Sequence, residues 1–109
     1  MSIVVYKPDQ KTIEYAEFPD VSATANTNIL SSNLTFNSTG RVIVQVVPQA
    51  SGTLSVIIDG ISGTAYNGQS LTAGAWFEFE IYVRSGSTLN FQYSTSTTIS
   101  IIVIFIEVQ

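Results

Sequence analysis

The segment 75–84, AWFEFEIYVR, alternates between apolar and polar or amphipathic side chains at every position. Successive side chains of a β-strand point to opposite faces, so Phe79 and Ile81 would lie on one side and Glu78 and Glu80 on the other. The alternation therefore predicts a strand with one buried face and one solvated face.

The same period of two recurs along most of the chain. Clear examples are RVIVQVV, TLSVIID and STLNFQYS, and shorter or weaker ones are SIVVY, KTIEYAEF and ILSSNLTF. Turn signals separate these runs: Asp59-Gly60 and Asn67-Gly68 suit two-residue hairpins, and the segment 7–10 suits a type I turn. Eight or more short strands at a spacing of about ten residues predict an antiparallel β-sandwich or barrel. The predicted core comprises Val44, Val46, Val56, Ile58, Phe77, Phe79, Ile81, Leu89 and Phe91.

The length of 109 residues predicts a single domain. One stretch, DVSATANTN at 20–28, is polar and lacks any period. It predicts a surface crossover that follows an N-terminal hairpin at 1–19. Alternatively, it is a hinge that lets residues 1–19 act as an arm toward a neighbouring subunit.

The composition excludes several kinds of chemistry. Charged residues make up 11% of the chain, against about 25% in a typical domain, whereas Ser and Thr supply 26 residues. Because Cys and His are absent, the chain has no disulfide, no thiolate metal site and no histidine base. The basic residues are few and dispersed, which argues against binding to nucleic acid or to an anionic membrane surface: Lys7, Lys11, Arg41 and Arg84. We expect no cofactor, no metal and no catalytic residue.

One predicted solvent face carries the ingredients of a ligand site. Trp76 and Tyr82 flank Glu78 and Glu80, and aromatic rings with carboxylates suit the recognition of a sugar. The alternative is an ordinary solvated sheet face, on which such side chains are common. A glycosidase would need two acids beside a deep pocket, for which a chain of this length leaves little material. A hydrolase is therefore the third and least favoured class.

The C-terminal segment TTISIIVIFIEV is apolar on both of its faces. One face would hold Ile99, Ile101, Val103 and Phe105, and the other Ile102, Ile104, Ile106 and Val108. Since a strand that is apolar on both faces must be covered on both, the second set predicts an oligomer interface. The alternative is that residues 1–19 or a neighbouring loop fold over it. The run is far too short for a membrane span.

The pattern of residues 40–109, including GQSLTAGAWFEFEIYVRSGSTLNFQYS, resembles the small jelly-roll virion proteins of phages and archaeal viruses. The resemblance implies a structural capsid, decoration or spike protein of the particle, with no enzymatic activity. It also implies a homo-oligomer, a trimer or higher, that contacts other virion proteins and a surface glycan or receptor. No secretory signal is visible at the N-terminus, so we expect assembly in the host cytoplasm. The Ile and Tyr content and the lack of Cys suggest a thermophilic host. The main alternative is a carbohydrate- or receptor-binding module.

Overall fold

The structure, a computed structural model, describes residues 2–4, 12–62 and 69–107. Within these ranges ten strands form, and every strand pair is antiparallel. They are β1 (Ser2–Val4), β2 (Thr12–Ala23), β3 (Leu34–Thr35), β4 (Gly40–Pro48), β5 (Gly52–Ile58), β6 (Ile61–Ser62), β7 (Gln69–Leu71), β8 (Phe77–Val83), β9 (Thr88–Tyr93) and β10 (Thr97–Glu107). The prediction of an all-β fold with eight or more strands is confirmed.

The strands form two sheets. The first sheet has the order β1-β2-β10-β4-β8, and the second sheet has the order β3-β9-β5-β6, with β7 also paired to β5. If β6 and β7 count as one interrupted strand, the eight strands from β2 to β10 change sheet at every connection except the hairpin from β5 to β6, which is the strand order of a jelly roll. The first strand of this roll therefore pairs with the last, and β10 lies in the middle of its sheet.

The core lies between the inner faces of these two sheets. Its buried members include Val42, Val44, Val46, Phe79, Ile81, Ile101 and Val103 from the first sheet, and Leu54, Val56, Leu89, Phe91 and Tyr93 from the second. Seven of the nine predicted core residues are buried. The other two, Ile58 and Phe77, are partly buried and pack against the core, because each lies at the end of its strand.

The hairpin between β5 and β6 is closed by Asp59 and Gly60, as predicted. Both residues have positive φ, 55° and 78°, which is the requirement of a type I′ turn. The turns predicted at 7–10 and at Asn67-Gly68 lie outside the described residues.

A β-bulge interrupts the pairing of β2 with β10. Phe18 is opposite Ile101 and Val21 is opposite Ile99, so two residues of β2 face one residue of β10. Asp20 occupies the extra position with a φ of 49°, and its backbone N–H donates a hydrogen bond of 3.0 Å to Ser100 Oγ. The bulge lets β2 continue to residue 23, so the segment predicted as a crossover, 20–28, begins inside a strand.

The loop between β2 and β3, which leads from the first sheet to the second, is held by a buried asparagine. The alternation of STLNFQYS places Asn90 of β9 on the polar, outward face of the strand, but only 2% of it is exposed. Its Oδ1 accepts from the N–H of Leu30 at 3.0 Å, and its Nδ2 donates to the Leu30 carbonyl at 3.0 Å and to Asn33 Oδ1 at 2.8 Å. The loop before β3 therefore folds over this part of the second sheet, which the local alternation could not indicate.

Candidate interaction face

The outer face of the first sheet is the side that points away from the core, and β10 crosses its middle. On the inner side of β10, Ile101 and Val103 are buried in the core. On the outer side, Ile102, Ile104 and Ile106 are half-buried, and we call these three residues the isoleucine stripe. The last residue of the predicted interface, Val108, lies outside the described residues.

Strand β4 widens the apolar surface on one side of the stripe. Ile43 is directly opposite Ile104, and Val47 lies further along the same face of β4 opposite Ser100; both side chains are half-buried. Side chains directly opposite each other in an antiparallel pair lie about 4.5–5.5 Å apart. The half-burial of the stripe thus arises from its neighbours within the sheet.

Strand β8 lies beyond β4 and carries the residues predicted as a ligand face. We call Trp76, Glu78, Glu80 and Tyr82 the β8 row. Glu80 is opposite Ile43, Glu78 is opposite Gln45, and Tyr82 is opposite Arg41. Trp76, one residue before the strand, is 65% exposed, and Tyr82 is 70% exposed.

The two predicted patches therefore share the outer face of one sheet, with only β4 between them. The sequence indicated both patches separately, because each lies on one continuous strand. It could not indicate that they are neighbours, since the strand order β10-β4-β8 joins segments that are far apart in the chain.

The carboxylates of the β8 row are held by side chains of β4. Arg41 Nη1 donates to Glu80 Oε2 at 3.0 Å in an ion pair whose side chains are both partly exposed. Gln45 Nε2 donates to Glu78 Oε1 at 2.9 Å. The charge of Glu80 is thus compensated within the face, whereas the donor to Glu78, the Gln45 amide, is neutral.

Strand β2 borders the stripe on its other side. Tyr15 is opposite Ile104 and Glu17 is opposite Ile102. The Tyr15 hydroxyl donates a hydrogen bond to the Glu17 carboxylate, and this bond is the main reason that the pKa of Tyr15 is raised; desolvation and the nearby negative charge add to it. β2 therefore lies beside β10 in the sheet. Under the alternative to an interface, the N-terminal segment would fold over the stripe, and residues 12–19 do not do so.

The remaining features of the described residues are two absences and two cavities. In the ranges 2–4, 12–62 and 69–107, no group of three or more acidic side chains could hold a metal ion, and no helix could span a bilayer. Two cavities of about 310 and 450 Å³ open between the edges of the sandwich and share Leu34. Phe36 and Phe105 line the smaller, and Phe18 and Leu30 line the larger. The sequence did not predict these cavities, since their walls come from strands distant in the chain.

No protein-family model and no curated protein matches the chain. Solved structures do match. The coat protein dimer of Tobacco streak virus aligns with a TM-score of 0.52 at 9% identity, over 94% of this chain and 89% of that one. A family 29 carbohydrate-binding module from Piromyces equi aligns with a TM-score of 0.41 at 17% identity, over 96% and 74% of the two chains. A cupin domain from Bordetella pertussis Tohama I aligns with a TM-score of 0.39 at 16% identity, over 100% and 92%.

The likeness to the coat protein concerns the fold alone at this low identity. It agrees with the jelly-roll strand order found above. The TM-scores of the other two proteins are below 0.5 and too low to indicate a common fold. The chemistry of the outer face must therefore be interpreted from its own residues.

Proposed function

We propose that this protein is a non-enzymatic structural component of a virus particle and that it self-associates through the outer face of the first sheet. The observation that carries the proposal is the isoleucine stripe, which is continued by Ile43 and Val47 of β4 on a sheet face with no covering element among the described residues. The fold likeness to a viral coat protein, solved as a dimer, supports the assignment to a virus particle.

The energetics favour covering the stripe. Full burial of an isoleucine contributes about 1.5–3 kcal/mol relative to exposure, and completing the burial of a half-buried one contributes part of that amount. Five such side chains would together supply several kcal/mol toward association, which must offset lost rotational and translational freedom. The predicted assembly as a trimer or higher would need a second contact elsewhere on the surface.

The first prediction concerns Ile104, which lies at the centre of the stripe between Tyr15 and Ile43. Ile104→Glu would bury an unpaired carboxylate at the interface, and such burial is costly. We expect a folded β-protein that sediments as a smaller species than the wild type at the same concentration. Sedimentation velocity and far-UV circular dichroism measure the two properties.

The matched control is Ser55→Glu, which adds the same charge to the outer face of the second sheet, where Ser55 is opposite Gln92. This variant should keep the wild-type assembly. A wild-type protein that sediments as a monomer at micromolar concentration would contradict the proposed function. An Ile104→Glu variant that sediments like the wild type would do so as well.

The second candidate function is a carbohydrate- or receptor-binding module. It is favoured by the exposure of Trp76 and Tyr82 at the two ends of the β8 row, with hydrogen-bonding carboxylates between them. These aromatics are about 20 Å apart along an extended strand, a spacing that suits an extended chain of sugars. Saturable binding of a monomeric protein on a glycan array would favour this function over assembly.

A further inference from the structure

The isoleucine stripe and its β4 neighbours are too narrow to form a stable interface by themselves. β10 and β4 together are about 10 Å wide, and over a length of seven residues they cover roughly 230 Å² in projection. A stable interface buries about 800 Å² of accessible surface on each partner. A contact that extends over the full width of the first sheet, about 24 Å, covers an area much closer to this requirement. If the proposed function holds, a second copy on the stripe must therefore also cover the β8 row.

Two charges on β8 and its end have no counter-ion among the residues that the structure describes. Glu78 accepts a hydrogen bond from the neutral Gln45. Arg84 directly follows β8 at the next outward position of the alternation; it is exposed and forms no ion pair with any described residue. Six residues, about 20 Å, separate the two, so they cannot reach each other. Since burying unpaired charges is costly, a partner on this face must bring the opposite charges at the same spacing.

We propose that the partner is a second copy of this chain, whose first sheet packs face to face on this one. β8 of one copy then runs antiparallel to β8 of the other, and the two-fold axis that relates the copies passes at the height of Ile81. A residue three positions before Ile81 then faces a residue three positions after it. Glu78 of each copy lies opposite the partner's Arg84, and the two unpaired charges are compensated twice. Long side chains accommodate the rotation of about 30° between packed sheets.

The same axis gives the other residues of the face compatible neighbours. Glu80 lies opposite the partner's Tyr82, whose hydroxyl can donate to a carboxylate. Because Ile81 is level with Val42 of β4, and Val42 with Phe105 of β10, Ile104 lies opposite the partner's Ile106. Ile104 and Ile106 of the two stripes then pack on each other, Ile43 lies opposite the aliphatic stem of the partner's Arg41, and the charged rows pair at their side. Trp76 and Tyr82 act as aromatic anchors of the interface, a role in which these residue types are enriched.

The second prediction is a charge-reversal cycle. Glu78→Arg places guanidinium groups opposite each other at two symmetric points, and Arg84→Glu places carboxylates there, so each variant should raise the dissociation constant at least ten-fold. The variant that carries both changes restores opposite charges and should return to within about three-fold of the wild type. A sedimentation concentration series at low ionic strength measures the constants.

The control is Glu14→Arg, which makes the same change of charge on β2 at an exposed position outside the outer face, since its partner Phe105 points into the core. It should leave the dissociation constant unchanged. If Glu78→Arg and Arg84→Glu leave the constant unchanged while Ile104→Glu gives a monomer, the antiparallel packing is wrong and the proposed function stands. Failure of the double variant to recover would also overturn this packing.

Discussion

Phe77 and Phe79 show how position within a strand decides what an aromatic residue contributes. The two rings lie on the same side of β8, tilted at 35° with centroids 5.7 Å apart. Phe79 is only 4% exposed and lies within the core cluster, whereas Phe77 is partly buried at the strand end. Alternation places both side chains inward but does not show how completely the second sheet covers each.

The third prediction compares these two residues. Phe79→Ala should lower the free energy of unfolding by about 3–5 kcal/mol, because it leaves a cavity between the sheets. Phe77→Ala should cost roughly half as much or less, because its ring already contacts solvent. Urea denaturation followed by circular dichroism measures both changes. A loss below about 1 kcal/mol for Phe79→Ala would mean that its side chain does not belong to the core.

At the scale of elements, the long alternating strands were predictable and the short ones were not. β4, β8 and β10 each bury one face continuously, so a period of two identifies them without knowledge of their neighbours. The weak strand predicted at 29–36 shrinks to the two residues of β3, because the backbone N–H and C=O of Leu30 bond to the Asn90 side chain and are not available to a neighbouring strand. The strand order depends on contacts between segments that are distant in the chain. For that reason the sequence did not show that the isoleucine stripe and the β8 row share one face.

The fourth prediction concerns the loop held by Asn90. Asn90→Ala leaves the buried N–H and C=O of Leu30 without their partners, and each unsatisfied group costs about 1–3 kcal/mol. We expect a destabilised protein in which the Leu30 amide exchanges hydrogen faster than in the wild type. Hydrogen-exchange mass spectrometry of the loop peptide measures this rate.

Gln92→Ala is the matched control for the loop. Gln92 lies on the same strand face two residues away, and its bond to Asn28 Oδ1, 2.8 Å long, is exposed to solvent. Its removal should change stability by less than about 1 kcal/mol. Equal effects of the two variants would contradict a special role for Asn90 in holding the loop.

At the scale of the whole molecule, the two sheets share one core cluster. Residues from β4, β8 and β10 contact residues from β5 and β9, so neither sheet buries its inner face without the other. The second sheet has a different outer surface, where Thr53, Ser55 and Gln92 are uncharged and polar. The molecule thus presents one apolar, partly charged face and one neutral, polar face.

The fifth prediction follows from the shared core. We propose that the chain is a single domain and expect one cooperative unfolding transition for an assembly-deficient variant such as Ile104→Glu. Near-UV circular dichroism, which reports aromatic packing, and far-UV circular dichroism, which reports the sheets, should give coincident urea curves. Two separated transitions would indicate that the sheets unfold independently.

The bulge in β2 affects how copies of this protein can associate, because it lies where a further strand could be added to the first sheet. Among the described residues β1 pairs only with residues 12–14 of β2, so the rest of β2 is an edge of the sheet. Pro19 has no N–H to offer a strand added at this edge, and the bulge at Asp20 breaks the repeat that such a strand would need. At the opposite end of this sheet, Glu78 and Glu80 are charged side chains on a terminal strand. Pro19 and these acids together disfavour an endless ribbon of sheets joined edge to edge. Molecules that associate by a face can close into a particle of finite size and avoid amyloid-like fibrils.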